Sequence, residues 1–139
     1  MEYKIFDKTI VLRLDKGDEI ITSVKTLCEK ENVKLGSISG IGGTDDFMVG
    51  IFNVKKRQYD KKTFKGAYEI TSIVGNINTM DGKHYSHIHV NCSKKGGKTV
   101  GGHLLKAVIS LTAEIIITVI DGQVDRRKDE ELNINKFNF

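Results

Sequence analysis

The chain has 139 residues, 39% hydrophobic and 29% charged, with 22 Lys+Arg against 18 Asp+Glu, 4 His, 2 Cys and no Pro or Trp; this suits one soluble globular domain over residues 1–139. No apolar run approaches the ~20 residues of a membrane span, and Met1–Asp7 lacks the continuous apolar core of a secretory signal. Cys28 and Cys92 form no C-x-x-C pair, so a cytoplasmic protein with reduced thiols is expected, and the lack of proline excludes an AT-hook, whose core is Arg-Gly-Arg-Pro.

Thr9–Leu14 is rich in β-branched and apolar side chains and reads as a strand closed by Asp15-Lys-Gly17. From Asp18 to Asn32 the apolar residues Ile20, Ile21, Val24, Leu27 and Cys28 form one stripe of a 3.6-residue period, a helix with Asp18 as its N-cap. The Gly-rich run Val33–Gly43 has no G-x-G-x-x-G and no following Lys-Ser/Thr, so it reads as a strand and turn where another backbone packs closely, not as a phosphate loop. Strand-like segments follow at 47–54, 67–78, 85–93, 112–120 and 132–139, with short connections that imply antiparallel pairing. A second, short helix is expected near Gly102, using Leu104, Leu105, Val108 and Leu111. Asp125–Glu131 reads as an exposed mixed-charge loop. Successive strands with one or two helices indicate an α+β domain whose helices cover one face of a mainly antiparallel sheet.

The charge is uneven. Residues 51–106 carry 11 basic and 3 acidic side chains, against 7 and 9 in residues 1–50 and 4 and 6 in residues 107–139. Lys55, Lys56, Arg57, Lys61, Lys62 and Lys65 form the densest part and suit contacts to nucleic-acid phosphates, although a solvated lysine face has the same composition. With 18 Lys and 4 Arg, any such binding is expected to be backbone-dominated, because bidentate guanine readout favours Arg.

The segment Lys83–Asn91 and the Gly101-Gly102-His103 triplet hold all four histidines. Alternation on a strand puts His87 and His89 on one face with Tyr85 and Asn91, and turns Ile88, Val90 and Cys92 to the other. His84 is assigned to the turn after Met80-Asp-Gly82. Two imidazoles on one face can chelate a divalent cation, and His103 from a following turn would complete a three-histidine set that suits zinc. Gly101 and Gly102 would let the backbone approach closely there. The same spacing also fits hydrogen-bonded surface histidines, and spacing alone leaves both readings open. A metal-dependent enzyme also needs a proton acceptor. Glu69 and Glu114, each interrupting an apolar strand, are the candidate catalytic residues, though outward strand positions would explain them equally.

In order along the chain, Leu12-Arg-Leu14, Gly17-Asp-Glu-Ile20, Ile38-Ser-Gly-Ile-Gly42, Gly66-Ala-Tyr-Glu-Ile70, Gly75, His87-Ile-His-Val90, Gly101-Gly-His-Leu104 and Thr112-Ala-Glu114 resemble the plants and prokaryotes conserved (PPC) domain in its stand-alone prokaryotic form. In plant members the domain follows AT-hooks, and their Gly-Arg-Phe-Glu-Ile stretch is similar to residues 66–70, with Ala67 here in place of the Arg. The resemblance implies a homotrimeric α+β domain of DNA-binding type. It also implies a metal site on His87, His89 and His103, a trio that the plant proteins lack. The expectation is therefore a DNA-binding, zinc-binding trimer. The alternative is a metal-dependent hydrolase or lyase acting on a small anionic substrate.

Overall fold

The computed structural model describes residues 1–139. Two N-terminal strands, β1 (Glu2–Phe6) and β2 (Thr9–Asp15), precede the single helix α1 (Ile20–Lys30). They are followed by four long strands, β3 (Gly36–Asn53), β4 (Gln58–Met80), β5 (Lys83–Ser93) and β6 (Thr99–Val119), and a C-terminal hairpin of β7 (Asp125–Asp129) and β8 (Ile134–Asn138). No helix is long and apolar enough to cross a membrane.

All eight strands belong to one sheet, antiparallel except where β7 meets β4. The sheet curls onto itself: β3 pairs with both β4 and β6, and β5 also pairs with both β4 and β6, so the four long strands close into a ring. The enclosed face holds a cluster of 23 buried apolar residues, among them Phe47, Ile73, Ile88, Val90, Cys92, Leu104 and Ile115. Burying this much branched aliphatic surface is what drives the curvature, at about 25 cal/mol per Å² of apolar area. The helix packs its buried stripe of Ile20, Val24, Leu27 and Cys28 against β5 and β6. The Gly-rich part of β3 lies against β6 so closely that a Cβ at Gly40 would sit 2.7 Å from the Glu114 carbonyl oxygen and one at Gly42 2.7 Å from that of Thr112. The close backbone packing expected for this segment is present.

Four local expectations are corrected. The second helix is absent, because Leu104–Leu111 is part of β6. Register shifts opposite Met48/Val49 and Gly42/Thr44 leave the buried residues Leu104, Ala107, Ile109 and Ala113 spaced by three, two and four, a rhythm that imitates a helical period. Glu19, not Asp18, caps α1. Its carboxylate accepts from Ile21 N (3.2 Å), Thr22 N (2.8 Å) and, across to β6, Ala107 N (3.0 Å). The Asp18 carboxylate is already engaged by the Asp15 backbone N and the N-terminal amine. His84 lies on β5 rather than in the turn, on the face that carries Ile88 and Val90. Finally, Asp125–Asp129 is a strand, because its pairing with β8 and a two-residue parallel bridge to Thr79–Met80 hold it to the sheet.

Candidate metal centre

The three histidines meet where the ring of strands closes. On β5, His87 and His89 point away from the core while Ile88 and Val90 are 2% exposed beneath them, as strand alternation requires. The closing pairing places His103 of β6 directly opposite His89, and the other edge of β6 places His103 opposite Gly50 of β3. One donor nitrogen from each of the three rings lies within 4.8 Å of the other two. His87 Nε2 and His89 Nε2 are 3.1 Å apart, and the three ring centroids are separated by 5.0 to 5.4 Å.

Glycines make that convergence possible. A Cβ at Gly101 would lie 2.3 Å from the Val90 carbonyl oxygen, so any side chain there would push β6 off β5. Gly102 has φ +155° and passes so close to β3 that an added Cβ would lie 2.9 Å from the Gly50 carbonyl oxygen. His103 is also braced from the far side, since the Tyr59 ring stacks on it at 4.7 Å and 22°.

The electrostatics disfavour protonation of His103 and His87. Burial pushes His103 down to about 4, helped by the neighbouring His87 and His89 and then by Arg126. Burial also lowers His87, with Arg126 and His89 as further causes. Neutral imidazoles present lone pairs, the form a cation needs. His103 Nδ1 is buried with no hydrogen-bond partner. A convergent, partly unsatisfied three-nitrogen set fits a borderline divalent cation such as zinc, with the remaining coordination open to a ligand.

The histidines open into a cavity of about 670 Å³ bounded by β3, β5, β6 and the C-terminal hairpin, and no Asp or Glu lines it. Glu69 and Glu114 lie elsewhere. Both are exposed, and they border a separate groove of about 440 Å³ with Gly42 and Thr112. The basic residues follow the β3–β4 hairpin. Lys56 pairs with Asp60 (3.1 Å) and Lys65 with Asp46 (2.9 Å), while Lys55, Arg57, Lys61 and Lys62 are exposed along the same hairpin. A larger depression, about 870 Å³, shares none of the histidine cavity's lining; it adjoins the Glu69/Glu114 groove at Ile41, Thr71 and Glu114 and lies on an exposed apolar face that includes Val11, Val74 and Ile116.

Sequence reasoning put Tyr85 on the histidine face without giving it a role and did not connect Tyr59, Arg126, Lys128 or Asn135 with the histidine cavity that they flank or back. One signal for Arg126 was present. In a chain with 18 Lys and only 4 Arg, an Arg marks a place where a planar, five-donor group is needed.

The sequence profile of the Plants and Prokaryotes Conserved (PCC) domain matches residues 1–121. Similar solved structures include a candidate DNA-binding protein from Bacteroides thetaiotaomicron (28% identity, TM-score 0.96, covering 99% of this chain and 96% of that one). A plant- and prokaryote-conserved protein from Pyrococcus horikoshii is similar at 27% identity and TM-score 0.88, covering 99% and 95%. A metal-containing protein from Archaeoglobus fulgidus is similar at 29% identity and TM-score 0.89, covering 99% and 97%. No curated protein sequence matches the chain.

The depressed His103 value has a consequence for stability. Because folding lowers it from 6.5 to about 4, the unfolded chain takes up this proton first as the pH drops. The stability contributed by neutral His103 is complete above about 6.5 and is lost as the pH falls through about 4. Urea unfolding of EDTA-treated protein should show a midpoint that declines across that window, and His103→Gln, which has no ring to protonate, should show a shallower decline. Equal declines in the two proteins would assign the effect to other groups.

Proposed function

We propose that this chain, which belongs to the Plants and Prokaryotes Conserved domain family by the match over residues 1–121, binds one divalent metal ion, zinc, through His87, His89 and His103. The observation that carries this reading is the convergence of three imidazoles from two strands, with donor nitrogens within 4.8 Å, at a cavity free of carboxylates. The metal-containing A. fulgidus relative supports it. A bound zinc would supply Lewis acidity to a ligand in the cavity. The chain's own residues would orient the rings, through Tyr59 stacked on His103, and limit access of water from the buried side. In an enzyme of this design Glu69 or Glu114 would be the proton acceptor only if brought to the site, since within one chain both border the other groove. The geometry therefore favours a metal-centred binding site over the hydrolase or lyase reading.

A second reading, non-specific DNA binding, is supported by the candidate DNA-binding relative from B. thetaiotaomicron and by the run Lys55, Lys56, Arg57, Lys61, Lys62 and Lys65 along one hairpin. These side chains would meet phosphates, with Lys56 and Lys65 having to leave Asp60 and Asp46. We further propose that the chain assembles as a homotrimer through the face bearing Val11, Ile41, Val74 and Ile116, where exposures of 38% to 59% leave a contiguous apolar patch that water disfavours. The two cysteines, both buried and unpaired, suit a cytoplasmic location.

Each proposal has its measurement. Mass spectrometry of untagged protein should find about one zinc per chain, lost in the His87→Ala/His103→Ala double variant. Zinc-free protein after zinc is offered would remove the metal reading. DNA affinity should fall by orders of magnitude between about 50 and 200 mM salt, and neutralising Lys55, Lys56 and Arg57 should weaken binding equally on unrelated sequences. Sequence-selective losses would contradict a backbone-dominated mode. Sedimentation equilibrium should give three times the 15.5 kDa chain mass, and Val74→Glu/Ile116→Glu should reduce it to one; a monomeric wild type would exclude the trimer.

A further inference from the structure

The C-terminal hairpin carries a buried cation with no carboxylate to match it. Arg126 is 6% exposed. Its Nε donates to Asn78 Oδ1 (2.7 Å), Nη2 to Asn76 Oδ1 (3.0 Å) and Nη1 to the Asn135 carbonyl (2.7 Å), all neutral oxygens. The guanidinium is sandwiched between the rings of Tyr85 (4.8 Å) and Phe137 (4.6 Å). Dipoles and π faces lower the cost of burying this charge, but they do not cancel the charge itself. Asp125 is adjacent in sequence, yet alternation turns it to the other face of β7, and its Oδ1 finds no donor. Such an arrangement is costly for stability alone, since a neutral side chain in that place would need no counter-charge.

The charge acts on the histidine cavity. Tyr85 and Asn135, which contact Arg126, also line that cavity, so the guanidinium stands one side chain behind its wall. Two residues on, Lys128 is on the same face of β7 and reaches the cavity lining, with only an exposed ion pair to Glu130. Hydrogen-bonding groups on the wall include the Tyr85 hydroxyl, already met by Asn135 Nδ2 at 3.3 Å, and the Asn133 amide. Ile51, Phe52 and Ile134 give the same cavity an apolar side, and its volume of about 670 Å³ lies within the range of small-molecule sites. A concave wall with one cation, Lys128, a second, Arg126, directly behind it, no anion and an apolar flank concentrates small anions by its summed field.

We propose that this cavity binds a small organic anion with an apolar body, a carboxylate of about the size of benzoate, and that the hairpin residues Arg126 and Lys128 impose the preference for negative charge. The proposal rests on the three-histidine reading for the second wall of the site, where a bound metal would add to the same field. The selecting residues lie outside residues 1–121, the part the family profile matches.

The test is titration of isotope-labelled full-length protein with benzoate, benzamide and inorganic phosphate, followed by amide chemical shifts, with zinc content measured separately on each sample. Benzoate is expected to shift amides at 50–52 and 133–135, with benzamide at least tenfold weaker. Arg126→Gln and Lys128→Gln should each weaken benzoate by tenfold or more. Lys128→Gln alters a half-exposed side chain and keeps the test valid if Arg126→Gln fails to fold, and its zinc content should equal that of the wild type. Equal binding of benzoate and benzamide, binding of phosphate alone, or no shift with benzoate at millimolar concentration would overturn the proposal. Benzoate binding in protein that takes up no zinc would sink the metal reading and leave this one standing; zinc uptake without benzoate binding would do the reverse.

Discussion

The pairing of β5 with β6 is the contact on which the site depends. It is only five residue pairs long, from His89↔His103 to Ser93↔Thr99, but it converts an open sheet into a ring. Without it, His87 and His89 would be two imidazoles on an exposed strand, and His103 would be an isolated residue on another. The closure costs strand curvature and tight backbone contact, and Gly101 and Gly102 relieve both at the point where any side chain would collide with β5 or β3. The core beneath supplies the compensating free energy: Ile88, Val90 and Cys92 from β5 and Leu104 from β6 are buried together directly under the histidines.

Burial and charge act in the same direction on His87 and His103. Desolvation disfavours their imidazolium forms, the neighbouring histidines disfavour them further, and Arg126 behind the wall adds a fixed positive charge. Both effects favour the form that offers a lone pair to a cation. Arg126 acts from the C-terminal hairpin, an element held to the sheet by two parallel pairs, by the Arg126 guanidinium stacked on Tyr85 of β5, and by its bonds to the β4 amides of Asn76 and Asn78. One residue thus both fastens the hairpin and adds positive charge behind the cavity wall.

The remaining surface divides by chemistry. The basic side chains run along the β3–β4 hairpin, where Asp60 and Asp46 hold part of the charge in place, and the apolar side chains gather on the outer face of β2, β3, β4 and β6. Exposed lysines are compatible with water, whereas a contiguous aliphatic face is not, so the two surfaces call for different kinds of partner. Glu69 and Glu114 share a groove that adjoins the apolar face and is lined by no histidine, which separates the acidic residues from the three-nitrogen site within a chain.

Local pattern alone determined a good deal. The amphipathic helix, the strand character of most of the chain, the close packing of the Gly-rich segment and the shared face of His87 and His89 all follow from periodicity, which depends on nearest neighbours along the backbone. The strand at 104–111 was misread because two bulges, created by pairing with β3, replaced its period of two by spacings of three and four. Glu19 took the cap because Asp18 was claimed by groups folded against it from the N-terminus, and the 125–129 loop became a strand because β8 and Thr79–Met80 were there to pair with it. That His103 would join the other two histidines was visible as a possibility. Only the closing register of β5 on β6 decided it, because which strand edges meet is settled by burial of the whole core and not by any residue's own neighbours. Arg126 shows the same division, since its type is written in the sequence but its burial without a counter-charge exists only once the hairpin has docked.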